Sequence, residues 1–340
     1  MTAANQPAEL LELLKRQNPV QLILAIPHSE SRDAINVAAT QIRAALAKFA
    51  GKPRTVILYS DTLNGSPGEE SPPSVDDVDL QTVPFPLAPV TASRFEALWP
   101  VLQLSQALSV QACCLWTRSP ESLTAVRADS LLRPVLEQQF DLVVPRYNRR
   151  RFESLINSAV VYPLTRALYG QRIRFPMAHD LALSANLTRR LAEPNHKTGQ
   201  PLRRDWITTY AACQGLRIAE AALDLYLPPA DSSDLSKVLA GVLDPLMSDV
   251  EQNALHWQRT RDSQATPVFG NSSVPAEEPL STDVIKMIET FQLGFRNLLD
   301  VWKLVLPPAT LLELKQLAAL PADKFQMQDD LWARTVYDFT

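Results

Sequence analysis

Between Arg146 and Arg174 the sequence carries seven arginines (Arg146, Arg149, Arg150, Arg151, Arg166, Arg172 and Arg174) and one acid, Glu153, although the whole chain has a formal net charge of -4. A guanidinium stays charged and presents a planar fork of donors that matches a carboxylate or a phosphate. Such a local excess predicts an anion held at one place. Arg172 and Arg174 alternate through "RIRFP", so an extended backbone sends both side chains to one side, which gives them the best claim to a phosphate or carboxylate. Arg149, Arg150 and Arg151 read as a solvated face, and Arg166 as a helix residue paired to an acid. His179 and Asp180 follow directly. Asp180 can position a reacting group or serve as the N-cap of a helix through "LALSANLTRRL", and residue chemistry alone leaves both readings open.

Other chemistries are excluded by what the sequence lacks. No Gly-x-Gly-x-x-Gly follows an apolar run, and there is no Gly-Lys-Ser/Thr phosphate loop or Gly-x-Ser-x-Gly elbow. The four histidines, at positions 28, 179, 196 and 256, are scattered, and Cys113, Cys114 and Cys213 have no metal-ligand spacing and are odd in number. No metal site and no cofactor are expected. With 27 prolines and only 9 glycines the chain is poor in residues that let a backbone cradle a phosphate, so side chains must hold any anion. Its acidic balance argues against nucleic acid as a partner. No apolar run approaches the roughly 18 residues of a membrane span, and the amino terminus has no leader-like pattern, so a cytoplasmic protein is expected.

The elements that must position these residues can be read from periodicity. Unbroken apolar runs at 21–26, 54–59, 111–116 and 140–145 predict buried strands. Helical patterns at 32–51, about 93–108 and 125–138 lie between them, and a polar, Pro-rich loop is expected over 60–79. Strands alternating with helices predict an α/β fold with a mostly parallel sheet covered on both faces. Ligands of such sheets sit beyond the carboxyl ends of the strands, which directs attention to the residues after Ile26, Tyr59, Trp116 and Pro145. Past residue 150 the pattern turns helical. Pro163 should kink or split one helix, which should stop at Gly170. A further strand is expected at 216–225, with long helices at about 232–260 and 282–305. In the last of these, Ile285, Ile288, Phe291, Phe295, Leu298 and Trp302 share a face, more in the manner of packing than of a cofactor groove. Trp99, Trp116 and Trp257 are expected in the core.

The stretch "FDLVVPRYNRRRFESLINSAVVYPLTRALYGQRIRFPMAHDLALS", residues 140–184, resembles bacterial GT-A glycosyltransferases similar to mannosylglycerate synthase. It carries their Val-x-Pro-x-Tyr-x-Arg stretch, a Tyr-Pro-Leu-x-Arg-Ala-Leu-Tyr-Gly helix and an Arg-x-Arg-x-Pro segment. "ILAIPHSES" looks like the first strand and loop, which includes Pro27. "VILYSDTLNG" looks like the second strand with its nucleoside-binding Asp61, and "PVFG" and "LWARTVYDF" resemble the carboxyl-terminal module. The resemblance implies a GT-A fold, a Rossmann-like sheet that binds a nucleotide-diphosphate sugar. Taken on its own, Asp61 reads equally as a turn former.

The departures from that pattern are as informative. Where the resemblance implies an Asp-x-Asp holding a divalent cation against the pyrophosphate, this chain has Thr117-Arg118-Ser119. The implied Gly-Gly-Asp is Ala178-His179-Asp180. The implied metal-binding histidine is absent from "YLPPADSSD", and in "VTASRF" Arg94 is the remaining cation. Asp205, in "LRRDW", is a weak match to an acid near the reacting sugar. The expectation is therefore a GT-A-like domain over 1–225 and a mostly helical module over 226–340. Donor contacts would come from Pro27, Asp61, Arg94 and Arg118, acceptor contacts from Arg172, Arg174 and His179, and catalysis from Asp180. An active protein would move a hexose from a nucleotide sugar to a small anionic, glycerate-like acceptor without a metal. The alternative is an inactive pseudoenzyme that binds a protein partner or acts as a scaffold, with a ligand sensor as a third reading and self-association left open.

Overall fold

In the computed structural model, residues 6–16, 19–27, 29, 31–60, 79–87, 94–148, 155–193, 207–226, 235–271 and 284–340 are described. The elements run α1 Gln6–Lys15, β1 Leu22–Ile26, α2 Arg32–Leu46, β2 Thr55–Tyr59, β3 Leu80–Pro84, α3 Arg94–Ala107, β4 Ala112–Leu115, α4 Ala125–Gln138 and β5 Leu142–Asn148. They continue with α5 Tyr162–Tyr169, β6 Leu181–Ser184, α6 Ala185–Ala192, α7 Ile207–Cys213, β7 Ile218–Tyr226, α8 Leu235–Gln252, α9 Ala254–Trp257, β8 Val268–Phe269, α10 Val284–Val305, α11 Pro308–Ala318 and α12 Asp329–Asp338.

The eight strands form one sheet in the order β3-β2-β1-β4-β6-β5-β7-β8, parallel except for β6, which runs against both β4 and β5. This is the mostly parallel, helix-flanked sheet the sequence predicts. Its inner strands are buried on both faces, which is why they read as unbroken apolar runs. One face packs Trp116, Val143 and Ala219 against α2 and α4; the other packs Ile23, Cys113 and Leu142 against α3, α6 and α7.

Helix starts follow local chemistry. The Ser31 hydroxyl accepts from the Ala34 amide at 3.1 Å, and Ser184 accepts from Leu187 at 3.2 Å. The cap of α6 is thus Ser184 and not Asp180, which instead precedes the four-residue strand β6. Pro163 lies inside a helical run that passes through a π-helical turn at Asn157–Val161 into α5, so the widened turn falls just ahead of the residue that has no N–H to donate. α5 stops at Gly170, whose φ of +67° suits glycine and whose position leaves 2.9 Å between an added Cβ and the Asp262 carbonyl.

The chain divides into two compact units. The first, Met1–Asn148 with Thr165–Pro228 and Asn253–Val274, holds the sheet. Residues 253–274, assigned from sequence to the helical module, therefore lie with the sheet, because β8 pairs with β7. The second unit, Arg149–Leu164, Pro229–Gln252 and Pro275–Thr340, is helical. In it α10, α11 and α12 enclose Phe295, Leu306, Leu314, Leu317 and Leu331. The apolar face read on α10 splits: Ile288 and Phe295 are buried, Phe291 and Trp302 pack beside them, and Ile285 and Leu298 are exposed. Of the three tryptophans expected in the core, Trp116 is buried, whereas Trp99 and Trp257 are half-buried.

Candidate functional site

The reversal of β6 builds the site. An antiparallel strand starts where its parallel neighbours end, so Asp180, immediately before Leu181, arrives beside the end of β4, where Leu115 pairs with Leu181. Parity then places Asp180 and Ala182 on one face with Tyr147 of β5.

Asp180 is fully buried and accepts four hydrogen bonds. Oδ1 takes the Thr117 amide at 2.7 Å and the Thr117 hydroxyl at 2.9 Å. Oδ2 takes Arg118 Nε at 3.0 Å and the Tyr147 hydroxyl. A carboxylate offers about four acceptor sites, so its capacity is filled by the protein. The Arg118 guanidinium carbon stands 4.4 Å from the centre of the Tyr147 ring, which packs edge-on against Phe175. The turn below is closed by Trp116 Nε1 donating to the Ser119 carbonyl at 3.2 Å and by a Ser119–Glu121 hydrogen bond.

This arrangement fixes charges as well as shapes. Burial opposes the Arg118 charge, but the neighbouring Tyr147 and Asp180 oxygens outweigh it and hold the guanidinium pKa above its ordinary value. Burial first, and then the adjacent carboxylate, pushes the Tyr147 phenol well up, so it remains a hydrogen-bond donor. Arg118 keeps 19% exposure and engages Asp180 through Nε, with the Tyr147 hydroxyl also hydrogen-bonded to its side chain. The Asp180 carboxylate beside the guanidinium has its acceptor capacity taken up by protein donors, and no group of three or more His, Cys, Asp or Glu suited to a metal occurs among the described residues.

A second buried carboxylate, missed in the sequence reading, lies on β7. Glu220 points to the opposite face from Ala219 and Ala221, and its Oε1 accepts the Arg174 amide at 2.6 Å. Burial raises its pKa despite the Arg174 amide and the charges of Arg146 and Arg174. A carboxyl whose pKa is higher folded than unfolded binds more protons in the native state, so its contribution to stability declines as pH rises above the ordinary glutamate value. Glu220→Gln is expected to flatten that part of the stability–pH profile between the ordinary value and the raised one. Urea unfolding of both proteins across this window checks it; parallel profiles would refute the assignment.

The remaining expected residues are placed as follows. Pro27 is buried at the end of β1, His179 is half-buried beside Asp180, and Arg172 and Arg174 are exposed. Arg94 opens α3, with only its backbone described, while Asp61, Arg149, Arg150, Arg151, Asp205 and most of the 60–79 loop lie outside the described residues. Arg166 bonds Ser263 and pairs with no acid among the described residues. No helix among the described residues is long and apolar enough to cross a membrane.

These features define an α/β protein with a cationic turn at the carboxyl edge of its sheet. No family and no curated protein matches the chain. Among solved structures it is similar to the mannosyl-3-phosphoglycerate synthase of Rubrobacter xylanophilus, with 14% identity over 74% of this chain and 80% of that one and a TM-score of 0.44. It is also similar to the glucosyl-3-phosphoglycerate synthase of Mycobacterium tuberculosis in complex with phosphoglyceric acid, with 18% identity, 82% and 94% coverage and a TM-score of 0.41. A mannosyltransferase of Pyrobaculum calidifontis in complex with GDP-mannose and Mn2+ matches with 13% identity, 99% and 82% coverage and a TM-score of 0.34. All three are GT-A type glycosyltransferases.

Proposed function

We propose that the chain is a glycosyltransferase-like protein of the GT-A type that holds the diphosphate of a nucleotide sugar with Arg118 in place of a divalent cation. The observation that carries this reading is the Arg118 guanidinium, partly exposed and held by Asp180 and Tyr147 at the end of β4. In transfer, the bond from the sugar's anomeric carbon to the diphosphate breaks, a bond to an acceptor hydroxyl forms, and that hydroxyl's proton passes to the departing diphosphate or to water. Negative charge grows on the leaving diphosphate, where a bidentate guanidinium stabilises it. Pro27, Asp61 and Arg94 would complete the donor site, and Arg172, Arg174 and His179 the side facing a small anionic acceptor. Asp180 acts as a positioning residue for Arg118.

The saturation of Asp180 favours a second reading. With no oxygen of that carboxylate left for a sugar hydroxyl, the same site can bind a nucleotide sugar without turnover, as a scaffold or a partner-binding protein would. A thermal-shift screen of UDP, GDP and their sugars, with manganese and with EDTA, tests the first claim, because a ligand that binds only the native state raises its stability. Stabilisation that survives EDTA is expected; stabilisation that appears only with manganese would overturn the arginine clamp. Ready release of nucleoside diphosphate in the presence of acceptor would reject the inactive reading.

A further inference from the structure

Beyond β6 and β5 from β4, the carboxyl end of β7 leaves the regular ladder. Between the pairs Arg146–Ala222 and Asn148–Tyr226, β5 advances through Tyr147 alone, whereas β7 passes through Leu223, Asp224 and Leu225. Such a bulge bends the strand, and Asp224 accommodates it with a φ of +47°. Its side chain is tied down as well: Asn148, buried at the end of β5, donates Nδ2–H to Asp224 Oδ1 at 2.7 Å. A broken ladder leaves backbone carbonyls in need of other donors. Arg127 meets two of them, the Leu223 carbonyl through Nε at 2.7 Å and the Asp224 carbonyl through one terminal amino group at 2.8 Å.

The third arm of the same guanidinium reaches a different loop. Its other amino group donates to the Ser122 carbonyl at 2.6 Å. Ser122 in turn donates its amide and its hydroxyl to the Ser119 carbonyl, at 3.0 and 2.6 Å, and Trp116 Nε1 donates to that same oxygen. The turn that carries Arg118 is therefore knitted together from Trp116 to Ser122 and moored to β7 by one side chain. Arg127 is itself anchored in the first turn of α4, where its amide donates to the Thr124 cap at 3.4 Å. All three of its nitrogens are committed to backbone carbonyls, which makes it a strut between two loops. A planar guanidinium can do this because its donors diverge in fixed directions, and a compact ammonium cannot.

We propose that Arg127 is a positioning residue: it locks the Arg118 turn to the bulge at the end of β7 and so fixes where the Arg118 guanidinium stands at the edge of the sheet. Its importance for nucleotide-sugar binding rests on the function proposed above. The coupling of the two loops rests on the geometry alone.

Titrations of UDP- and GDP-sugars in EDTA, together with native-state hydrogen exchange, test it on the full chain. Arg127→Lys keeps the charge but cannot span three carbonyls, and is expected to weaken binding by about tenfold. In an Arg118→Lys background the same change should have little further effect, because residues that act through one another are not additive. A loss of the same factor in both backgrounds would show general destabilisation and overturn the proposal. Asp224→Asn keeps the backbone carbonyl and an oxygen for Asn148, and should bind as the wild type does; a loss equal to that of Arg127→Lys would show that Arg127 works through the Asp224 charge, which also overturns the strut. Without any ligand, the amides of residues 117–123 and 223–226 should exchange about tenfold faster together in Arg127→Lys, whereas loosening of the β7 end alone would refute the coupling. If Arg127→Lys folds poorly, Ser122→Ala, which removes one bond inside the turn, should weaken binding by a smaller factor and with the same lack of additivity; additive losses would count against the proposal. If the wild type binds no nucleotide sugar, the transferase reading fails, and the exchange measurement still decides whether Arg127 joins the two loops.

Discussion

Asp180→Ala is expected to cost about 3–5 kcal/mol of folding stability, because removing one partner of a buried pair strands the other. Four donors lose their acceptor together: the Thr117 amide and hydroxyl, the Tyr147 hydroxyl and Arg118 Nε. Arg118 can turn its exposed edge to water, which places the outcome toward the lower end, but the buried Tyr147 hydroxyl cannot. Tyr147→Phe removes one donor and leaves three, and should cost about 1–2 kcal/mol. Urea unfolding gives both values, and equal costs would show that the four bonds do not act as a unit. Replacing the pair together, as Asp180→Leu with Arg118→Met, should recover much of the loss, since apolar residues of similar size are often as stable as a buried ion pair. It should not recover nucleotide binding. That separation identifies the pair as an orienting device.

The strands were legible because both faces of a central parallel strand are buried, so "QLILAI", "TVILY" and "QACCLW" stand out from their surroundings. The strands that escaped were those without that signature. β3 carries the polar Gln81, β8 has two residues, and β6 is four residues running straight into a helix, so its apolar positions merged with the helical period of "ANLTRRLA". Misreading β6 is also why Asp180 looked like a cap: the choice between a cap and a buried acceptor is made by Thr117, 63 positions earlier in the chain. Arg118 could be singled out from its place after an apolar strand, whereas the pairing that orients it could not. Tyr147 was visible as part of a quoted stretch but not as the third member of the cluster. Glu220 had a local signal, an acid inside the apolar run "RIAEAALDL", and it went unread. The contact of Arg166 with Ser263 spans 97 positions and left no trace in the spacing of either segment.

Arg118→Lys is expected to weaken nucleotide-sugar binding by about 10- to 100-fold while keeping the charge. The reason is geometric. In the wild type Nε is committed to Asp180, so the two amino groups are held in a plane whose direction is set by the Tyr147 ring and the carboxylate. A lysine ammonium can meet either Asp180 or a phosphate oxygen, but it cannot be held by one while offering a fork to the other. If charge alone mattered, lysine would bind as well as arginine. Titrations of UDP- and GDP-sugars into both proteins, with EDTA throughout, distinguish these cases: equal affinities would reject the fork, and a wild-type affinity that collapses in EDTA would reject the cation-free clamp. Asp180→Asn provides the complementary measurement, since it keeps the residue's shape and leaves Arg118 in place but weakens its hold on Nε. Its nucleotide affinity should fall between that of the wild type and that of Arg118→Lys, because the fork is present but no longer aimed.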